Sequence, residues 1–106
     1  TPSDDIVLVH RYTMKHAKYT KELTNVFAQI GDRELLDEFL KDLLTPSEYR
    51  DIVTRLQIVK MLDEGISQRD IAKRLGVSIS KVTRGSRELL DKKGGFRKIL
   101  DKFYKK

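Results

Sequence analysis

Apolar side chains recur along this chain at intervals of three and four, and no stretch keeps the apolar/polar alternation of a half-buried strand, so the pattern predicts an all-α protein of six helices. Tyr12, His16, Tyr19, Leu23, Val26, Phe27 and Ile30 form a first stripe, closed by Gly31, a natural helix stop. Leu35, Leu36, Phe39, Leu40, Leu43 and Leu44 form a second, with Asp and Glu on its other face, stopping at Thr45-Pro46. There Thr45 has the character of an N-cap, with Pro46 at the first helical position and Glu48 placed to complete a capping box. The third helix carries Ile52, Val53, Leu56, Val59 and Leu62 as far as Gly65, a length near 30 Å at about 1.5 Å per residue.

Beyond Gly65 the elements shorten. Ser67-Gln68-Arg69-Asp70 reads as a second capping box, opening a helix that lasts to Leu75 and ends at Gly76. Ser78 is the next N-cap, and Ile79 to about Lys92 forms a fifth helix with Val82, Leu89 and Leu90 on one side and Ser80, Thr83, Arg84 and Arg87 on another. Gly94-Gly95 breaks the chain, and Phe96, Ile99, Leu100, Phe103 and Tyr104 give a sixth helix at full amphipathic spacing. Residues 1 to about 5 and Lys105-Lys106 have nothing to hold them and are expected to fray.

Two short capped helices joined at a glycine make a helix-turn-helix, and the stretch from Gln68 to Arg84 fits it position by position. Ala72 is small because the second helix crosses close above it, Gly76 supplies a positive φ, and Ile71, Leu75, Val77 and Val82 pack the two helices together. The exposed positions of the second helix are then polar or basic, as a helix in the major groove requires. Ser78, Ile79, Ser80 and Thr83 lie at or near its N-terminal end, the end that reaches base edges, and Lys81 is placed for base or phosphate. On the preceding helix Gln68, Arg69 and Lys73 are DNA-contact candidates, with Arg69 and Lys73 as phosphate clamps. The bland alternatives are an αα corner used only for packing and, for each Lys and Arg, a solvated side chain. Gly85, inside the fifth helix at a cost of about 1 kcal/mol relative to Ala, implies either close helix packing or a ligand against the backbone.

Charge sharpens this division. The whole chain has a net charge of +6, with 22 basic and 16 acidic residues. Residues 1–53 hold seven of the basic and ten of the acidic side chains, a net of −3, whereas residues 54–106 reach +9. A polyanion is the natural partner of the second half, because clustered Lys and Arg release counterions when they neutralise phosphates. Cys is absent, so disulfides and thiolate metal sites are excluded, and His10 and His16 are the imidazoles available, which leaves no metal site expected. The longest apolar run, Ile6 to Val9, is far short of a membrane span of about 20 residues, so the expectation is a soluble, cytoplasmic protein with no membrane partner. No paired carboxylates, nucleophile–base set or phosphate-cradling loop emerges, which argues against an enzyme.

Leu44-Thr45-Pro46-Ser47-Glu48, Thr54-Arg55-Leu56-Gln57-Ile58-Val59, Ser67-Gln68-Arg69-Asp70 and above all Val82-Thr83-Arg84-Gly85-Ser86 resemble the bacterial tryptophan repressor family, over residues from about 35 to 104. The resemblance implies an intertwined homodimer, with residues 1–64 as dimerisation helices, 67–92 as the DNA-binding head and 95–104 as a C-terminal dimerisation helix. It implies a repressor that binds double-stranded operator DNA on the bacterial nucleoid, with L-tryptophan as corepressor and tryptophan biosynthesis or transport genes as targets. The family's two indole-flanking arginines match Arg55 and Arg84, its glycine beside the ring matches Gly85, and its carboxylate-approaching threonine matches Thr45 of the partner chain, whose N-cap role is a complete alternative.

Three departures bear on the ligand. Glu88 stands where the family has a serine near the ligand ammonium, Asp42 replaces a leucine, and the loop Glu64-Gly65-Ile66-Ser67 is one residue shorter than the usual form. Glu88 is placed either to pair an ammonium or to bind Arg84 within its own helix. The alternative function is a DNA-binding regulator of the same fold with another ligand or none. A third is a helical bundle whose basic half meets an acidic protein.

Overall fold

A computed structural model describes the backbone of residues 2–105 and the side chains of residues 16–105, so the side chains of the Ile6–Val9 run, His10 and Tyr12, and all of Lys106, lie outside the described residues. Six helices follow in order, α1 (Pro2–Gln29), α2 (Arg33–Leu43), α3 (Pro46–Asp63), α4 (Gln68–Leu75), α5 (Ile79–Leu90) and α6 (Gly95–Phe103), with no strand among the described residues. The chain divides into two compact units, residues 1–43 and 44–106.

In the first unit α1 begins at Pro2, where fraying was expected. Proline suits the first helical turn. Gly31 does not take the left-handed conformation of a glycine stop. The turn is organised by Asp32 instead, whose carboxylate accepts the Glu34 backbone N–H at 2.9 Å and opens α2. Phe27 and Phe39 meet with ring centroids 5.5 Å apart. Leu36, Phe39 and Leu40 are half-buried, but Tyr19, Leu23, Val26, Leu35 and Leu43 stay exposed, so these amphipathic helices leave apolar surface uncovered.

The second unit is built around α5, which packs against α3, α4 and α6. Local chemistry sets each boundary. The capping box at Thr45 forms on both sides: its hydroxyl accepts the Glu48 N–H at 3.2 Å and its own N–H donates to Glu48 Oε1 at 2.9 Å. These bonds to the charged form hold the Glu48 carboxyl below the usual carboxylate range. At the other end of α3, Gly65 at φ 87° lets its N–H reach the Leu62 carbonyl while Ile66 N–H reaches Met61, a Schellman closure that turns Ile66 into the core. Ser67 and Ser78 cap α4 and α5 by accepting from the N–H groups of Asp70 and Lys81. Gly76 ends α4 at φ 66°, and Val77 N–H then reaches back to the Ala72 carbonyl, fixing the turn.

The core consists of Ile58, Ile71, Ala72 and Val82, with Met61, Leu62, Ile66, Leu75 and Val77 packed against it. The expected helix-turn-helix packing is therefore present, and fully burying side chains of this kind contributes about 1.5–3 kcal/mol each. One correction concerns α3: Ile58, absent from the expected stripe, is fully buried, whereas Ile52 and Val53 within it are exposed. The apolar positions of α3 are spread around the helix, and the chain's own core covers the side that carries Ile58 and Val59. The fifth helix ends at Leu90 rather than near Lys92, because Asp91 turns extended and its carbonyl accepts the Gly94 N–H; Leu90 is 76% exposed.

The sixth helix buries Leu100 and leaves Ile99, Phe103 and Tyr104 exposed. Arg97 joins it to the end of α3, donating two parallel hydrogen bonds to Asp63 at 2.8 and 3.0 Å and a further pair to Asp101. Lys105, expected to fray, lies 3.4 Å from the Asp101 carboxylate and 4.0 Å from that of Asp63. The guanidinium donors hold Asp63 and Asp101 below the usual carboxylate range, and the two carboxylates hold Arg97 protonated.

Candidate functional site

Two surfaces meet on α5. The first is the exposed face of the helix-turn-helix, where Ile79, Ser80 and Thr83 share a shallow groove of about 260 Å³ with Arg84 and Arg87. Ile79 is 53% exposed at the first position of α5, an arrangement that costs burial and leaves an apolar side chain free to meet a partner. Ser78 is committed as the N-cap of the helix. Thr83 donates to Gln68 Oε1 at 2.8 Å, so two of the expected DNA contacts hold each other across α4 and α5. Arg69, at the first turn of α4, and Lys73, one turn on, are exposed on the same short helix.

Lys81 departs from the expectation of a free contact. Its Nζ lies 2.9 Å from Asp51 Oδ1 on α3, a link between the two helices that neither local pattern announces. The hydrogen bond and charge of Lys81 hold the Asp51 carboxyl below its ordinary range, with Arg55 and Arg50 adding to the effect.

The second surface is a cleft of about 200 Å³ between α3 and α5. Ile58, Val59 and Phe96 supply its apolar walls, and Arg55, Lys81, Arg84 and Glu88 its polar ones. Of the five ligand candidates, Arg55, Arg84, Gly85 and Glu88 come together here, and Thr45 does not line the cleft. Thr45 is accounted for in this chain by its capping box. Gly85 has a packing reason of its own: a Cβ there would lie 2.7 Å from Ile58 Cγ2, so the glycine lets α5 rest on α3. The same close approach makes Gly85 part of the cleft lining. The intrahelical pair between Arg84 and Glu88 does not form; among the described residues no ion pair or hydrogen bond engages either side chain.

Sequence reasoning missed Asp51, Ile58 and Phe96. Phe96 was taken as part of the α6 stripe, and Ile58 and Asp51 belong to a helix whose apolar residues spread around it; the useful signal was Gly85, which demands a tight neighbour. Among the described residues no group of His, Asp and Glu is placed to hold a metal ion, and no helix is long and apolar enough to cross a membrane.

Comparison with known proteins identifies relatives of the chain. The Trp repressor protein family matches residues 18–104. A protein from Chlamydia trachomatis serovar D, named Trp operon repressor homolog, is 41% identical over 71 residues, covering 62% of this chain and 76% of its own. One of the same name from Xylella fastidiosa strain M23 is 45% identical over 70 residues, covering 65% and 76%. A third, from Vibrio vulnificus, is 48% identical over 54 residues, covering 50% and 53%. No solved structure gives a significant match.

Proposed function

This chain belongs to the Trp repressor family, a family of transcriptional regulators, and on that premise we propose that it is a dimeric, sequence-specific DNA-binding repressor with L-tryptophan as corepressor. Tryptophan biosynthesis or transport genes are the targets this reading implies. The observation that carries it is the cleft between α3 and α5, lined by Arg55, Arg84 and Gly85, which adjoins through Arg84 the face of α5 that presents Ile79, Ser80 and Thr83.

The two surfaces share one helix, and that supplies a mechanism. Guanidinium groups stack on an aromatic face, and Arg84 is free to pair a ligand carboxylate. An indole in the cleft contacts α3 and α5 together and so favours one orientation of the recognition helix over others. The ligand then shifts the population toward the DNA-competent form by its differential affinity for it. The Trp repressor is itself among the proteins that define this docking geometry, in which the second helix enters the major groove and a two-fold dimer reads two half-sites. Exposed Leu35, Leu43, Ile52, Val53, Ile99 and Phe103 offer apolar surface for a second copy, through which Thr45 of the partner would approach the cleft.

The chain contains no Trp, so L-tryptophan titration followed by ligand fluorescence or heat is a clean test. Saturable binding below millimolar ligand, together with an operator-DNA shift that strengthens with tryptophan, is the expected result. Absence of binding at millimolar ligand removes tryptophan from the reading. The second reading, a DNA-binding regulator with another ligand or none, draws on the free carboxylate of Glu88 in the cleft and on exposed Asp42. An operator shift of equal strength with and without tryptophan would select it.

A further inference from the structure

The fifth helix meets α3 through two contacts of different kinds. Gly85 rests on the fully buried Ile58, an apolar contact near the middle of α5. One turn nearer the N-terminus, Lys81 Nζ donates to Asp51 Oδ1 at 2.9 Å. Arg50 and Arg55 add positive charge around this carboxylate, but its hydrogen bond comes from Lys81 on the other helix. Apolar burial is non-directional and leaves a helix free to rock about its closest approach, whereas a hydrogen-bonded ion pair fixes a distance. The Lys81 backbone is held as well, because its N–H donates to the Ser78 cap. The bridge therefore acts on the end of α5 that presents Ile79, Ser80 and Thr83. Lys81 also lines the cleft, so the bridge joins the same two helices that an indole there would join.

We propose that Asp51 is a positioning residue: through Lys81 it holds the N-terminal end of α5 in the orientation that a cleft ligand also favours, and so gives the ligand-free protein part of its DNA affinity. The inference rests on reading the chain as a ligand-gated repressor and adds a ligand-independent share to the same equilibrium. Lys81 and Asp51 are 37% and 40% exposed. An ion pair of that exposure biases an equilibrium by about 1.5- to 5-fold. A ligand that binds only the docked orientation makes the bridge redundant at saturation, because the population is then complete with or without it. The ligand's own apparent affinity must carry the same factor as the ligand-free population.

The test uses a labelled duplex that the wild-type protein enriches from a random-sequence pool in the presence of L-tryptophan. Anisotropy titrations with and without saturating L-tryptophan compare wild type, Asp51→Asn and Asp51→Glu, and calorimetry gives their tryptophan affinities. Asp51→Asn is expected to weaken ligand-free DNA binding and tryptophan binding by a common factor of about 1.5 to 5, to leave tryptophan-saturated DNA binding unchanged, and to be rescued by Asp51→Glu. Ligand-free binding equal to wild type in Asp51→Asn, or undetectable already in wild type, overturns the role of Asp51 and leaves the repressor reading standing. So does an equal loss with and without tryptophan, which is general damage to the head. Tighter binding by Asp51→Asn with a salt slope steeper by about 1 overturns it too, since Asp51 then keeps Lys81 from phosphate. A wild type that binds duplex but not tryptophan removes the corepressor, and a ligand-free loss in Asp51→Asn rescued by Asp51→Glu then still supports the bridge. A wild type that enriches no duplex overturns the repressor reading and the proposal with it.

Discussion

At position 85 the lack of a side chain is what allows α5 to lie against Ile58, whose Cγ2 would stand 2.7 Å from an added Cβ. Ile58 is branched at Cβ and fully buried, so it has little freedom to yield. Gly85→Ala gains about 1 kcal/mol of helix propensity but incurs overpacking of about 1–3 kcal/mol, and a net loss of up to about 2 kcal/mol in denaturant unfolding is expected. Adding Ile58→Ala should return part of that loss as a positive coupling in a double-mutant cycle; additive losses would show that the contact is not the cause. Lys73 and Thr83 are separable at the same scale. Lys73→Ala, at an exposed position of α4, should weaken DNA binding across all sequences and lower the salt slope by about 1, whereas Thr83→Ala should lose discrimination among sequences. Binding isotherms on operator and scrambled duplexes at several salt concentrations decide, and unchanged affinities would favour a helical bundle that meets an acidic protein.

Among the elements, α6 depends on charge to an extent that its apolar spacing does not reveal. Leu100 is its single fully buried side chain, and the Arg97 bridge to Asp63 ties it to the end of α3. Asp63 and Asp101 sit below the usual carboxylate range when folded and return to about 3.9 when unfolded. The folded state thus holds fewer protons, so the stabilisation is complete above the unfolded value and is lost as pH falls through the folded ones. Urea midpoints should fall as pH drops from about 5 to about 2, and Asp63→Asn should lower stability at neutral pH while flattening that acid limb. An acid limb identical to wild type would mean that the bridge adds nothing. The helix boundaries were the most legible feature at this scale, since the caps at Thr45, Ser67 and Ser78 and the turn at Gly76 follow from neighbours within a few residues. The end of α5 falls two residues short of the expected bound, because the apolar stripe was followed where the extended Asp91 closes the helix.

For the whole molecule, the exposed apolar residues on α2, α3 and α6 are expected to be covered by a second copy. Sedimentation should give a dimer at micromolar concentration, and the thermal midpoint should rise with protein concentration, as mass action requires. Val53→Glu, at a position 51% exposed in one chain, should shift the protein toward monomer without disturbing the core around Ile58; a dimer that persists would place the interface elsewhere.

The sequence alone determined the six helices, the helix-turn-helix and the family, because capping, turn glycines and the spacing of apolar residues are local chemistry read over a few positions. It also brought Arg55, Arg84, Gly85 and Glu88 under suspicion without saying how they meet. Only the tertiary structure decided that Ile58 is the side chain Gly85 accommodates, that Asp51 takes Lys81, that Arg97 spans to Asp63, and that Arg84 and Glu88 stay apart. The first three of these depend on how helices distant in sequence pack. Such packing is set by the summed fit of side chains across an interface, which no periodicity along one helix records.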